Sequence, residues 1–135
     1  MAVLTRFGTH ASSLLRIFAT TLFFGTCLGA SGAWAHGNLV KAVPAQHATL
    51  STAPDRVQLW FSQRLEVAFC SLVVTDAADN SVDKGDMKVA VDDPKLLSVG
   101  LKPLAPGVYT VKFRALSVDG HVVANHFLFT VGATD

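Results

Sequence analysis

The tightest constraint on how this chain can fold is the alternation in its last third, in "VYTVKFRALS" and "HVVANHFLFTV". In the first run Tyr109, Val111, Phe113 and Ala115 fall on one parity, and Thr110, Lys112 and Arg114 on the other. In the second, Val123, Phe127, Phe129 and Val131 share a parity, with Asn125 as the polar exception. A period of two belongs to a strand with one buried face and one wet face. Upstream, Val57, Leu59 and Phe61 repeat the pattern, with Gln58 and Trp60 opposite. Further short apolar runs are "NLVKAV", "FCSLVVTD", "MKVAV" and "KLLSVGL", each bounded by turn-forming residues. Seven such runs predict an all-β sandwich or barrel with no helix longer than two turns.

The first 35 residues read differently. Arg6 and Arg16 supply positive charge, no acidic residue precedes Asp55, and "LLRIFATTLFFGTCL" is mostly apolar. "GASGAWA" then places Ala33 and Ala35 in the small-residue pattern of a signal peptidase site. The expectation is a secretory signal peptide over residues 1–35, removed after Ala35. The uncharged stretch from Ile17 to Ala35 also has about the length of a membrane span, roughly 18 residues or more. However, Thr, Ser and Gly dilute it, and it ends in a cleavage motif rather than in basic residues. Lipidation at Cys27 is a third reading, poorly served by the preceding "FGT". Cleavage leaves residues 36–135 as one domain with His36 at its N-terminus, of a size that folds alone.

That remainder holds nine of the eleven basic residues and all ten acidic ones, so it is close to neutral. It has no electrostatic footprint for nucleic acid. Cys27 leaves with the leader, so Cys70 has no partner for an internal disulfide, and the core must hold the domain together. Cys70 lies in "AFCSLVV" and reads as a buried small hydrophobe.

The remainder contains no CxxC, HExxH, phosphate-binding loop or nucleophile elbow. Asp92 and Asp93 stand beside Pro94 and read as solvated turn residues. His47 and His126 read as surface histidines, and Trp60 as packing. The pattern that carries chemistry is "SVDGH", residues 117–121. Asp119 and His121 are two apart, so on extended backbone both would project to one side. Gly120 lets the chain bend between them. A free N-terminal His36 would add its amine and its ring nitrogen. Three nitrogens and one carboxylate oxygen form the tetragonal set that suits Cu(II). By itself Asp-Gly-His is also an ordinary turn.

The chain from His36 to Val131 resembles the CopC-type periplasmic copper-binding domain. The likeness rests on a leader ending at a histidine, on "HGNLVKAVPAQHATLSTAPDRVQLWFSQRL", and on "LKPLAPGVYTVKFRALSVDGH" followed by "FLFTV". It implies a seven-stranded Greek-key β-sandwich of immunoglobulin or cupredoxin shape. It also implies a Cu(II) site at His36, Asp119 and His121, and a role in copper homeostasis, resistance or delivery. The implied location is the periplasm, and the implied partners are the copper ion and an inner-membrane copper transporter. Some members hold Cu(I) in a methionine-rich loop; here the matching region "TDAADNSVDKGDMKV" has Met87 alone. Many members also carry Glu where this chain has Gln63, with Glu66 three residues on.

A different class shares part of this pattern. Copper monooxygenases acting on polysaccharides also combine an N-terminal histidine with a second histidine on a β-sandwich. An anionic Asp119 at the metal, and a domain too small for a broad substrate surface, favour a binding protein that is not an enzyme.

Overall fold

The structure, a computed structural model, describes residues 38–133. The expected leader over residues 1–35, and His36 itself, lie outside the described residues. Among the described residues, eight strands run in chain order. They are β1 (Leu39–Val43), β2 (Thr49–Leu50), β3 (Arg56–Phe61), β4 (Ser71–Thr75), β5 (Lys88–Val89), β6 (Leu96–Gly100), β7 (Gly107–Leu116) and β8 (Val122–Val131). Each of the seven apolar runs supplies one strand. The extra one is β2, a two-residue strand pairing parallel with the end of β8 through Thr49–Thr130 and Leu50–Val131. The only helical element among the described residues is a 3-10 turn, Val67–Phe69. No described helix is long and apolar enough to cross a membrane.

The strands form two four-stranded sheets, ordered β1-β3-β6-β5 and β2-β8-β7-β4. The chain changes sheet after β1, β2, β3, β4 and β6, which makes the all-β Greek-key sandwich expected of the sequence. The alternation decides which face each strand buries. Val57 and Leu59 of β3 are fully buried and Phe61 nearly so; Val111 of β7 and Phe129 of β8 are also sealed in the core. Phe61 meets Phe113 edge-on across the sandwich, with ring centroids 5.7 Å apart. Tyr109 stacks on its register partner Phe129 and donates its hydroxyl to Ala105 O at 2.6 Å. Trp60 does pack, but on the outer face, where Lys41 Nζ lies 4.7 Å from its ring centroid.

The polar stretch after β4 is more than a turn. Its Ser81 bridges to Thr75 of β4, and Asp83 bridges to Leu101, which follows β6 in the other sheet. Val82 N–H donates to Val74 O, and Lys102 N–H donates to Val82 O. Asp83 is buried between these contacts. Its Oδ2 accepts from Val74 N–H at 3.0 Å and Ser81 Oγ–H at 2.9 Å, while Oδ1 accepts from Gly85 N–H at 3.0 Å. The segment thus joins the edges of the two sheets through a satisfied carboxylate.

Candidate metal centre

Strands β7 and β8 form a ten-residue antiparallel ladder, Gly107–Val131 through Leu116–Val122. A three-residue loop of Val118, Asp119 and Gly120 closes it. Gly120 N–H donates to Ser117 O at 2.9 Å, and Ser117 N–H donates to His121 O at 2.9 Å. Gly120 has φ +88, the left-handed conformation that a three-residue hairpin loop requires at its last position. Asp119 therefore lies within the turn, not on a continuous extended run with His121. They meet because the turn folds one back onto the other, and strand parity has no part in it.

The two side chains converge. His121 Nδ1 lies 3.3 Å from Asp119 Oδ2. Asp119 Oδ1 accepts the hydroxyl hydrogen of Ser117 and, at 3.4 Å, His121 N–H. The Ser117 hydrogen bond is the main cause that holds the Asp119 carboxyl below the usual carboxylate range. Partial desolvation opposes it, and His121 adds to it through its N–H and its ring. The carboxylate is thus ionised and aimed at the imidazole. The side chains are 33% and 41% exposed respectively, while the Nδ1 atom of His121 is itself buried.

A neighbouring loop holds this turn in place. Val118 N–H donates to Arg64 O at 3.0 Å, Glu66 N–H to Leu116 O at 2.8 Å, and Leu65 bridges to Ser117. The same loop grips the start of β1, since Asn38 N–H donates to Ser62 Oγ at 3.1 Å and Ser62 N–H to Asn38 O at 2.9 Å. The start of β1 therefore lies at the end of the sandwich that carries Asp119 and His121.

The donor set fits a borderline N,O-binding ion. Metal–ligand bonds of about 2 Å place two donors on one ion no more than about 4 Å apart, and Nδ1 and Oδ2 satisfy that. Among the described residues no group of three His, Cys, Asp or Glu side chains converges, so the described part of the centre is this pair. His47 and His126 are not part of it. His47 is exposed in the turn before β2 with φ +59, and its N–H donates to Leu128 O at 2.7 Å. His126 is exposed on the outer face of β8, opposite Lys112, and its N–H is held by Asn125 Oδ1 at 2.8 Å. Asn125 breaks the apolar alternation of β8 because it is an exposed residue serving that edge.

Other sequence-singled residues fall outside the pair too. Cys70 is half-buried rather than buried, because the run that contains it opens as the 3-10 turn; its Sγ donates to Glu66 O at 3.3 Å. Gln63 and Glu66 lie in the supporting loop, and among the described residues neither side chain hydrogen bonds to Asp119 or His121. Asp92 is exposed and Asp93 Oδ1 accepts from Lys95 N–H at 3.1 Å, as turn carboxylates do. A hollow of about 290 Å³ lined by Asp76, Ala78, Pro106 and Tyr109 lies where β7 begins. The turn with Asp119 and His121 lies beyond the other end of that strand, so the hollow has no share in the pair. The residue that sequence reading missed is Ser117. It stands at the head of the quoted "SVDGH", but a serine two residues before an aspartate carries no metal signal of its own.

Comparisons with known proteins agree with this fold. The CopC domain profile matches residues 39–132. Protein YobA of Escherichia coli (strain K12) is 35% identical over 107 residues, covering 78% of this chain and 86% of YobA. The crystal structure of CopC from Methylosinus trichosporium OB3b matches with a TM-score of 0.65 at 35% identity, over 74% of this chain and 97% of that one. PcoC from Escherichia coli, described as a methionine rich copper resistance protein, matches with a TM-score of 0.62 at 31% identity, over 71% and 98% of the two chains.

Proposed function

The chain belongs to the CopC domain family, and from this we propose that residues 36–135 form a periplasmic Cu(II)-binding protein of copper homeostasis and resistance. Residues 1–35 serve as the export signal. Cleavage after Ala35 exposes His36, whose amine and imidazole join Asp119 and His121 around one Cu(II) ion. The ion is cargo rather than a catalytic cofactor, and the destination is a membrane copper transporter.

The observation that carries this reading is the 3.3 Å approach of His121 Nδ1 and Asp119 Oδ2 in a turn tied to the start of β1 through Ser62 and Arg64. A nitrogen and a carboxylate oxygen favour Cu(II) over Cu(I), which prefers several thioethers or thiolates. Met87, the only methionine beyond Met1, is half-buried and packs against the core. An anionic donor at the metal also argues for holding the ion rather than for leaving positions open to oxygen, so we assign no enzymatic activity.

The test is Cu(II) titration of the exported protein, with its N-terminal residue read from its intact mass. One ion bound per chain starting at His36, with loss on Asp119→Ala or His121→Ala, supports the proposal. A protein starting elsewhere, or one indifferent to both substitutions, refutes it.

A further inference from the structure

We propose that Ser117 is the positioning residue of the copper site. It fixes the Asp119 carboxylate with Oδ1 committed to the protein and Oδ2 presented to the metal. This inference rests on the copper site proposed above.

Ser117 is buried, at 2% exposure, directly behind the turn. Its hydroxyl has one hydrogen and two acceptors within reach, Asp119 Oδ1 and, at 3.1 Å, His121 O. A hydrogen bond to an ionised acceptor is the stronger one, so the hydrogen goes to the carboxylate. The His121 carbonyl already receives Ser117 N–H at 2.9 Å. One residue therefore ties down both ligands, the side chain of Asp119 through its hydroxyl and the backbone of His121 through its amide. Ser117 is itself held by the bridge to Leu65. Burial keeps water from replacing the hydroxyl, so its loss removes a charge-assisted hydrogen bond from Oδ1.

The consequence for the metal is a defined denticity. A carboxylate can bind an ion through one oxygen or two, and it can swing out of the site altogether. With Oδ1 held behind the turn and Oδ2 turned toward His121 Nδ1, Asp119 offers one oxygen from a fixed direction. Such support of a ligand from behind typically changes metal affinity by about 10–100-fold.

The experiment compares cleaved wild-type protein with Ser117→Ala, Ser117→Thr and Asp119→Ala. Cu(II) affinity is measured by competition with a chelator, and the bound state by electron paramagnetic resonance. Ser117→Thr keeps the hydroxyl and adds no metal ligand, so it separates loss of the hydrogen bond from a change in packing. The expected result is an affinity lower by about tenfold or more and a shifted spectrum in Ser117→Ala at wild-type circular dichroism of the apo protein, with the wild-type spectrum kept in Ser117→Thr. Wild-type affinity and spectrum in Ser117→Ala, beside an impaired Asp119→Ala, would overturn the role of Ser117 and leave the copper site standing. A lowered affinity with a wild-type spectrum would mean a merely structural serine and would overturn it too. Wild-type binding by Asp119→Ala would remove the site itself and this inference with it.

Discussion

His121 Nδ1 faces Asp119 Oδ2 at 3.3 Å across the loop that joins the two longest strands. The pair is local in sequence, yet it is held by a loop more than 50 positions upstream through Arg64, Leu65 and Glu66. Asp119→Ala and His121→Ala are each expected to weaken Cu(II) binding by more than the roughly 10–100-fold that a supporting residue is worth. His47→Ala and His126→Ala, both exposed and away from the turn, are expected to leave it unchanged. Isothermal titration of the four variants checks this.

Extending the N-terminus by one residue before His36 should cost nearly as much as replacing its imidazole. The extension turns the amine into an amide, a poor donor, and breaks the chelate ring. A histidine that bound through its ring alone would not register the change. Cu(II) titration of the two N-termini side by side is the measurement. In both proteins affinity should fall with falling pH, since protons compete for each nitrogen.

Gly120→Ala tests the turn without touching a ligand. A Cβ at Gly120 would meet nothing within 4 Å, so the cost is backbone strain alone, from φ +88. The expected loss is about 1–2 kcal/mol of stability, read by urea unfolding. A drop in Cu(II) affinity should accompany it, because the bend at this residue brings Asp119 and His121 together. Gly120→Asn should be milder on both counts.

Asp83 should make the domain sensitive to acid. Burial pushes its pKa up, but hydrogen bonds from Val74 N–H, Ser81 Oγ–H and Gly85 N–H together outweigh burial, and the net shift is downward. A carboxylate lowered on folding stabilises above its unfolded value of about 3.9, and that contribution is lost as pH falls through the folded value. Asp83→Ala is expected to cost about 2–3 kcal/mol at pH 7, because buried donors lose a charged acceptor. The gap to wild type should narrow below about pH 4, as denaturant unfolding at pH 7 and pH 3 would show.

Cu(I) should be held poorly. Met87 packs against the core, and Cys70 is half-buried with its thiol directed at Glu66 O. Competition against a Cu(I) chelator should strip the ion readily. Retention would point first to Cys70, and Cys70→Ser would then abolish it.

Much of the architecture follows from local pattern. The parities of Val57, Leu59 and Phe61 and of Tyr109, Val111, Phe113 and Ala115 fixed which faces are buried, because a strand's side chains alternate whatever the strand packs against. Asp119 and His121 were legible as side chains that could meet, but the expected reason was shared parity on extended backbone, and the turn at Gly120 is what brings them to 3.3 Å. Tertiary structure alone decided the rest. Thr49–Leu50 is a strand only because β8 offers it an edge, and the polar stretch around Asp83 is a clip only because Val74 and Leu101 lie on either side of it. Ser117 came to lie buried against Asp119 when the hairpin closed and the segment with Leu65 paired with it. A hydroxyl gains its meaning from the acceptor it meets and from the water it is denied, and both depend on which distant segments pack together.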